Sequence, residues 1–514
     1  MNFPRQDMPE AARRVGAFRA YDVHRDGRAN FFLFANDHGR VDRIGFGHLD
    51  GFVRTNNPRA VLGRTGGTPL EIVCLDHLDP RTTRHVVIIL DGIGYDVLRA
   101  FYDQGHLRVF HPPSRVIAPY PSLTDLCLAD ALDLEPTPGM EAKYFDRHAN
   151  AMVGGSMSYL KGDNQPYDAL LDYRANLIMD AVSYVAPGRV FRHELNNATR
   201  AFAKQPPVTF RGAGVSPACG MGVPPMRLEG VPPSPRSEFL AYFVSSAGLG
   251  TAEGEAGQID VLRDVERLIL QLLHETRGQI RLTMFSDHGH TYTPGRRLEL
   301  EKHLAARGWN VTEKLKGPRD VAYVRFGLVT SASFSTDSPA ELAADLVTIE
   351  GVELASHADG QSVVVYSHDG GKAIIRRADD AYRYEVLQGD PLKLLPALEN
   401  VPAQPDGSYR DADLLTATVD GQYPFALQRL WRAHFDLVEN PPDVIVSLAD
   451  AYYSGSRWMN FFATVASTHG SLNRVNSTTF AMTTMGPLPP IMQSRDLAPA
   501  IGRLLGEPFP RNKP

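Results

Sequence analysis

A ten-residue segment in the middle of the chain reads Ile280-Arg281-Leu282-Thr283-Met284-Phe285-Ser286-Asp287-His288-Gly289. Its first half is mostly apolar, which predicts a buried β-strand, and a carboxylate and an imidazole follow at the carboxyl end. Open α/β sheets bind ligands at that edge, and an oxygen donor beside a nitrogen donor is a metal-ligand arrangement. An isolated Asp-His pair is also typical of a capping aspartate beside a hydrogen-bonded histidine.

A second segment, Val86-Val87-Ile88-Ile89-Leu90-Asp91-Gly92, repeats this pattern. An apolar run again predicts a buried strand, and it ends in a carboxylate, Asp91. Gly92 permits a sharp backbone turn directly after that carboxylate. The repetition favours a shared site at the ends of two strands.

Between these two strands lies Pro121-Ser122-Leu123-Thr124-Asp125, followed by an apolar run with helical character. Ser122 and Thr124 are N-cap residue types, and a helix N-terminus offers N–H groups and partial positive charge to an anion such as phosphate. The alternative is that Thr124 only caps the helix. Near the C-terminus, His469 lies in a polar loop, where a single histidine is usually solvated.

Taken in chain order, these four segments resemble the alkaline phosphatase superfamily, specifically its nucleotide pyrophosphatase/phosphodiesterase-like branch. The resemblance covers about residues 84–325 and 435–510. It implies an α/β fold, an alkaline phosphatase-like three-layer α/β/α sandwich with a largely parallel central sheet. It also implies a metal-dependent hydrolase of phosphoric esters, a phosphomonoesterase or phosphodiesterase, in which Thr124 attacks phosphorus and forms a covalent phosphothreonine.

The same resemblance implies that Asp91, Thr124, Asp287 and His288 bind one divalent metal ion, while His469 binds a second. Coordination to a cation lowers the pKa of a hydroxyl, which is what a threonine needs to act as a nucleophile at neutral pH. Three oxygens and one imidazole suit Zn²⁺, and Mn²⁺ or Fe²⁺ also fit, so residue type alone does not name the ion.

The second metal position is where this sequence departs from the family. The resemblance leads us to expect an aspartate, and a histidine four residues later, after the strand at 239–244. Those positions hold Ser245 and Leu249. A hydroxyl is a weak ligand and an isobutyl group is none. Two alternatives therefore stay open: an active hydrolase with one metal or two, or a catalytically degenerate pseudoenzyme that still binds a metal and an anion.

The N-terminal half of the chain divides into two predicted segments. Residues 1–83 form a small β-rich unit with a hairpin made of strands at 30–35 and 40–46. Residues 84–325 form the first part of the alkaline phosphatase-like core, with an exposed loop at 206–237 that is dense in proline and glycine.

The C-terminal half also divides into two predicted segments. Residues 326–430 form an inserted α+β cap, with a strand pair at 362–366 and 373–375. Residues 431–514 return to the core, and the apolar run at 443–448 is predicted as a strand of the core sheet.

Composition agrees with a large soluble enzyme, and the resemblance implies that its substrate is a small-molecule phosphoester. The 514 residues are 43% hydrophobic and 22% charged, which suffices for a large core and more than one domain. A net charge of −6 gives no sign of a nucleic-acid-binding surface. No membrane span or signal peptide is evident, so we predict a cytoplasmic location. Cysteine spacing predicts no disulfide framework, and the oligomeric state is open.

Overall fold

The computed structural model describes residues 18–24, 29–47, 71–78, 83–155, 165–175, 179, 182, 186–205, 238–325, 327–456 and 465–511. The predicted loop at 206–237 lies outside the described residues.

The strands, in chain order, are β1 (Phe18–Tyr21), β2 (Phe31–Ala35), β3 (Val41–Phe46), β4 (Glu71–Cys74), β5 (Arg84–Leu90), β6 (Ser114–Ile117), β7 (Lys143–Asp146), β8 (Ala151–Gly154), β9 (Glu238–Phe243), β10 (Ile280–Ser286), β11 (Arg296–Arg297), β12 (Asn310–Val311), β13 (Asp320–Tyr323), β14 (Leu328–Val329), β15 (Ser331–Thr336), β16 (Val352–Asp359), β17 (Ser362–Ser367), β18 (Lys372–Ala378), β19 (Ala381–Gln388), β20 (Tyr409–Arg410), β21 (Val444–Leu448), β22 (Tyr452–Gly455), β23 (Thr478–Thr483) and β24 (Ile491–Gln493).

The α-helices are α1 (Tyr95–Asp103), α2 (Thr124–Ala131), α3 (Pro187–Lys204), α4 (Ser245–Glu253), α5 (Glu255–Glu275), α6 (Leu300–Ala306), α7 (Pro339–Leu346), α8 (Leu395–Leu398), α9 (Asp411–Thr418), α10 (Ala426–Phe435), α11 (Arg474–Ser477) and α12 (Leu497–Leu505). Short 3-10 helices cover Leu75–His77, Pro166–Leu170 and Ser494–Asp496.

The N-terminal strands form a four-stranded antiparallel sheet in the order β1-β2-β3-β4. The predicted hairpin is confirmed as β2 and β3, and the side chain of Asn36 closes its turn by accepting the backbone N–H of Arg40 at 3.1 Å. Phe31 and Ile44 from this sheet share one apolar core with Leu272 of α5. The small sheet therefore packs against a helix of the central unit.

The central sheet has six strands in the order β24-β6-β23-β10-β5-β9. β5 is parallel to both β9 and β10, and β6 is parallel to β24. β23 is antiparallel to its two neighbours, β10 and β6. One strand thus opposes five that share a direction.

Helices cover both faces of the central sheet. Successive residues of a strand point to opposite faces. Val86, Ile88 and Leu90 of β5 accordingly pack with apolar residues of α1, α3 and α5. Val87 and Ile89 pack on the other side with α2 and α12. The predicted α/β class is confirmed.

A second sheet has nine strands in the order β12-β13-β15-β21-β16-β17-β18-β19-β20. It contains the predicted strand pair as β17 and β18. It also contains β21, paired with β15 and β16, so the prediction that this segment joins the core sheet is wrong. An apolar run predicts a strand, but its pairing partner depends on distant segments. The boundaries proposed for the four segments stay a prediction.

Helix α10 joins the second sheet to the central unit. Leu427 and Leu430 of this helix share a core with Tyr120 and Leu123, which precede α2. The start of α2 therefore lies between the two sheets.

Cysteine use differs from the prediction. Cys74 is disulfide-bonded, whereas Cys127 is a buried free thiol.

Of the helices that the structure describes, none combines the length and apolar character that a membrane crossing requires. The cytoplasmic location stays a prediction.

Candidate metal centre

The two predicted strand-end carboxylates lie side by side. β5 and β10 are adjacent parallel strands, and Leu90 is in register with Ser286. The next residue of each strand, Asp91 and Asp287, therefore emerges at the same edge of the sheet. Their exposed fractions are 4% and 1%. Two buried carboxylates at one edge need a counter-charge.

Hydrogen bonds hold Asp287 at the start of the turn that follows β10. Its Oδ1 atom accepts the backbone N–H of Gly92 at 2.9 Å and that of His288 at 2.8 Å. Among the residues that the structure describes, none donates a hydrogen bond to Oδ2. Burial raises the pKa of this carboxyl to about 6. Oδ2 is therefore a buried acceptor whose lone pairs lack a donor.

His288 presents one nitrogen to these carboxylates. Its Nδ1 lies 3.0 Å from the carbonyl oxygen of Gly289, which only accepts, so Nδ1 carries the proton in the neutral ring. Burial lowers the pKa of His288 to about 4, so the ring is neutral at pH 7. Its bare Nε2 lies 3.3 Å from Oδ2 of Asp287 and 3.7 Å from Oδ1 of Asp91.

Tyr242 of β9 fixes the other carboxylate. Its hydroxyl donates to Oδ2 of Asp91. The hydroxyl oxygen of Ser246 also accepts the backbone N–H of Asp91 at 2.7 Å. The strand-end aspartate is thus held from β9 and from the start of α4.

Thr124 faces the same nitrogen of His288. Its Oγ1 atom lies 3.3 Å from Nε2, and the side chain is partly exposed. The alternative that Thr124 only caps α2 is wrong. The N-cap residue is Leu123, which makes no side-chain cap, and the hydroxyl of Ser122 donates to the carbonyl of Pro119. The threonine hydroxyl is therefore available to the site.

His469 reaches the site from a distant loop. Its Nδ1 donates to the carbonyl of Ser122 at 2.9 Å, and its own carbonyl accepts the N–H of Thr330 at 2.6 Å. Its ring stacks on that of His288 with centroids 3.9 Å apart. Burial lowers the pKa of His469 to about 3, and the neighbouring His288 makes a smaller contribution in the same direction.

The side chains of Ser245 and Leu249 make contacts outside the candidate metal site. The hydroxyl of Ser245 donates to the buried carboxylate of Glu194 in α3. Leu249 is 5% exposed and belongs to the apolar core beneath α3 and α5. Neither position supplies a ligand.

A residue that the sequence analysis missed, His290, completes a group of three imidazoles with His288 and His469. One nitrogen of each lies within 4.8 Å of one nitrogen of the others. A second group with the same spacing contains Asp91, Asp287 and His288. The missed signal was the spacing His-Gly-His, because residues two apart in an extended segment point to the same side.

A divalent cation fits the first position, which is formed by Asp91, Thr124, Asp287 and His288. Two buried carboxylates, a neutral imidazole and a hydroxyl converge there, and a buried carboxylate oxygen lacks a donor. Oxygen and nitrogen donors of this kind are used by Zn²⁺, Mn²⁺ and Fe²⁺. The ligand pair expected for a second position does not fit, because serine and leucine stand in its place.

Comparison with known proteins adds no family. No protein-family model matches the sequence, and no curated protein matches it. Among solved structures, the chain is similar to murine ectonucleotide pyrophosphatase/phosphodiesterase 5, at 12% identity and a TM-score of 0.40 over 84% of this chain and 97% of that chain.

Two related structures give the same result. An inactive form of the murine protein in complex with AMP aligns at 13% identity and a TM-score of 0.41 over 84% of this chain and 97% of that chain. The human protein aligns at 14% identity and a TM-score of 0.41 over the same shares. Similarity at this level carries no argument about activity.

Proposed function

We propose that this chain is a metal-dependent hydrolase of phosphoric esters in which Thr124 is the nucleophile. The proposal depends on one observation, which is that several oxygen atoms surround Nε2 of His288. A hydroxyl and two carboxylates lie 3.3–3.7 Å from this nitrogen. Such a group of acceptor atoms is stabilised by a cation.

In the proposed reaction, Thr124 supplies the attacking oxygen. Its Oγ1 forms a bond to phosphorus while the bond to the departing ester oxygen breaks, and the proton lost from the hydroxyl is balanced by the proton that the departing oxygen takes up from solvent. Water then attacks the phosphothreonine, which restores the hydroxyl and releases the phosphoryl product. The start of α2 at Thr124 brings the positive end of a helix dipole beside the phosphoryl oxygens.

A divalent cation bound by Asp91, Thr124, Asp287 and His288 would lower the pKa of the threonine hydroxyl and neutralise charge on the phosphoryl oxygens. The chain's own contribution is orientation. The Gly92 N–H holds one oxygen of Asp287, and Tyr242 holds one oxygen of Asp91. We propose Zn²⁺ as the ion, and Mn²⁺ and Fe²⁺ are the alternatives that the same oxygen and nitrogen donors suit.

Turnover of p-nitrophenyl phosphate and bis(p-nitrophenyl) phosphate tests the proposal and separates monoesterase from diesterase activity. We expect Thr124→Ala or a chelator to abolish turnover, and Thr124→Ser to retain part of it. Thr416→Ala, at an exposed helical threonine, is the control and should leave the rate unchanged. Acid quenching followed by mass spectrometry should locate the phosphoryl group on Thr124. Turnover that persists in Thr124→Ala contradicts the proposal.

A catalytically degenerate protein that binds a metal and an anion is the second candidate. Ser245 and Leu249 favour it, because the hydroxyl bonds to Glu194 and the leucine lies in the core. This candidate predicts that Zn²⁺ and inorganic phosphate bind, but that neither aryl phosphate is hydrolysed with Mg²⁺, Mn²⁺, Co²⁺ or Zn²⁺. Calorimetry and the same assays distinguish the two.

A further inference from the structure

The ring of His290 occupies the space between the turn after β5 and helix α4. A Cβ atom on Gly92 would lie 2.7 Å from Cδ2 of His290, and one on Gly250 would lie 3.4 Å from its Nδ1. Both neighbours are glycines, so the backbone leaves room for an imidazole there. Helix α4 also carries Ser245 and Leu249, the positions where the expected ligands are missing.

The hydrogen bonds of His290 determine which nitrogen is bare. Its Nδ1 lies 2.8 Å from the hydroxyl oxygen of Ser467, and that hydroxyl donates its own proton to the carbonyl of Thr291. A serine hydroxyl has one proton, so its oxygen must accept from His290. Nδ1 is therefore protonated and Nε2 carries a lone pair.

Nε2 of His290 is a buried acceptor without a donor. The residue is 0% exposed, and no group in the described part of the chain hydrogen-bonds to this atom. Such an arrangement is costly unless a further partner binds. Any cation that binds this nitrogen would satisfy it.

His469 has the same tautomer and lies beside His290. Its Nδ1 proton goes to a backbone carbonyl, which leaves its Nε2 bare. The two rings are 5.2 Å apart between centroids and inclined by only 24°. Two bare imidazole nitrogens thus lie next to the position formed by the carboxylates.

We propose that His290 and His469 form a second cation position, in which His290 replaces the ligands that Ser245 and Leu249 no longer supply. This inference rests on the proposed function, because His288 is assigned to the first position. A position with imidazole ligands from the protein selects Zn²⁺, Co²⁺ or Ni²⁺ over Mg²⁺. Water and a phosphoryl oxygen would complete its coordination.

Metal content tests this inference without any measurement of activity. The purified full chain is saturated with Zn²⁺ or Mg²⁺, freed of excess ion by gel filtration, and submitted to elemental analysis. We expect two Zn²⁺ per wild-type chain and one per His290→Ala chain, whereas Mg²⁺ fills one position at most. A Co²⁺ titration followed by visible absorption should show two binding steps in the wild-type chain and only the first step in His290→Ala.

His434→Ala is the matched control, because His434 is also a buried imidazole bonded to a serine, Ser356 of the second sheet, but lies in helix α10. It should keep two Zn²⁺. If His290→Ala does not fold, Ser467→Ala tests the same point by removing the partner that orients the ring. We expect the affinity of the second Zn²⁺ to fall by about 10- to 100-fold.

Two results would overturn the inference: one Zn²⁺ per wild-type chain, or two Zn²⁺ per His290→Ala chain. Failure of the proposed hydrolase function gives a different pattern. In that case both cations bind as expected, but no phosphoric ester is turned over.

Discussion

Nε2 of His288 lies 3.3 Å from Oγ1 of Thr124, although the two residues are 164 positions apart in the chain. Because Nδ1 of His288 donates to a carbonyl, the threonine hydroxyl is the donor in this contact. A cation bound at the site would compete for the same lone pair and would also bind the threonine oxygen. The nucleophile proposed for the reaction is therefore oriented by a side chain of the protein itself.

Replacing Tyr242 with phenylalanine should weaken metal binding at the first position. The tyrosine hydroxyl donates to Oδ2 of Asp91, and partners that orient a ligand typically contribute about 10- to 100-fold in affinity. Calorimetric titration with Zn²⁺ measures the change. Tyr382→Phe, at a buried tyrosine of the second sheet, should leave the affinity as it is. An unchanged Kd in Tyr242→Phe would mean that Asp91 needs no such support.

Gly92→Ala should lower the free energy of unfolding more than Gly506→Ala does. Gly92 has a φ of +69°, and its new Cβ would lie 2.7 Å from the His290 ring. Gly506, at the end of α12, has a φ of +73° and open space around it. We expect Gly506→Ala to cost about 1 kcal/mol, the backbone term alone. Gly92→Ala should cost about 1–3 kcal/mol more through overpacking.

Urea unfolding of the two glycine variants gives this comparison directly. Equal losses of unfolding free energy in both variants would show that the His290 ring moves aside without cost.

Replacing Arg429 should loosen the segment that carries Thr124. This buried guanidinium donates to the carbonyls of Pro119, Pro424 and Leu472 and to the hydroxyl of Ser122, all at 3.1–3.3 Å. Burial lowers the pKa of Arg429 to about 9. We expect Arg429→Met to lower the free energy of unfolding by about 3 kcal/mol, because several buried acceptors lose a charged donor.

Arg429→Lys should rescue little, because an ammonium cannot reach acceptors on both sides as a guanidinium does. Arg263→Met, which removes an exposed ion pair with Asp260, should cost no more than about 1 kcal/mol. Denaturant unfolding compares the three variants. A fully stable Arg429→Lys chain would show that charge alone, and not the fork of donors, holds this segment.

Glu141 should make stability fall as pH rises. Burial raises its carboxyl pKa to about 7, against the opposing effect of the Gly327 N–H at 2.6 Å. The unfolded carboxyl has a pKa of about 4.3, so the folded chain holds a proton that the unfolded chain releases between these two pKa values. The stabilisation is complete below the unfolded pKa and is lost as pH rises through about 7.

Thermal unfolding of wild type and Glu141→Gln between pH 4 and pH 8 measures this slope. The glutamine variant should lose the part of the slope in that window, while Glu399→Gln, at an exposed glutamate, should keep it. Parallel curves for wild type and Glu141→Gln would contradict the assignment.

Local sequence signals were sufficient for the strands that carry the first position. The apolar runs before Asp91 and Asp287 predicted β5 and β10, and the hairpin of β2 and β3 followed from its turn residues. Each signal lies within about ten residues, because a strand pattern and a turn are both properties of neighbouring residues in the chain. The roles assigned to the site residues stay predictions that metal analysis and kinetics will test.

Signals of this kind could not assign β21 to its sheet. The run Val444–Leu448 is apolar enough for either sheet, and its neighbours, β15 and β16, come from segments about a hundred positions earlier. The capping role of Thr124 failed for a similar reason. Its hydroxyl faces His288, a partner that the local sequence does not contain.

The sequence by itself determined that two carboxylates and an imidazole follow buried strands, because hydrophobic patterning and a glycine turn are properties of adjacent residues. The tertiary structure alone decided that His290 and His469 become neighbours with bare nitrogens. Their tautomers depend on Ser467 and on the carbonyl of Ser122, which are brought into contact only when the chain has folded.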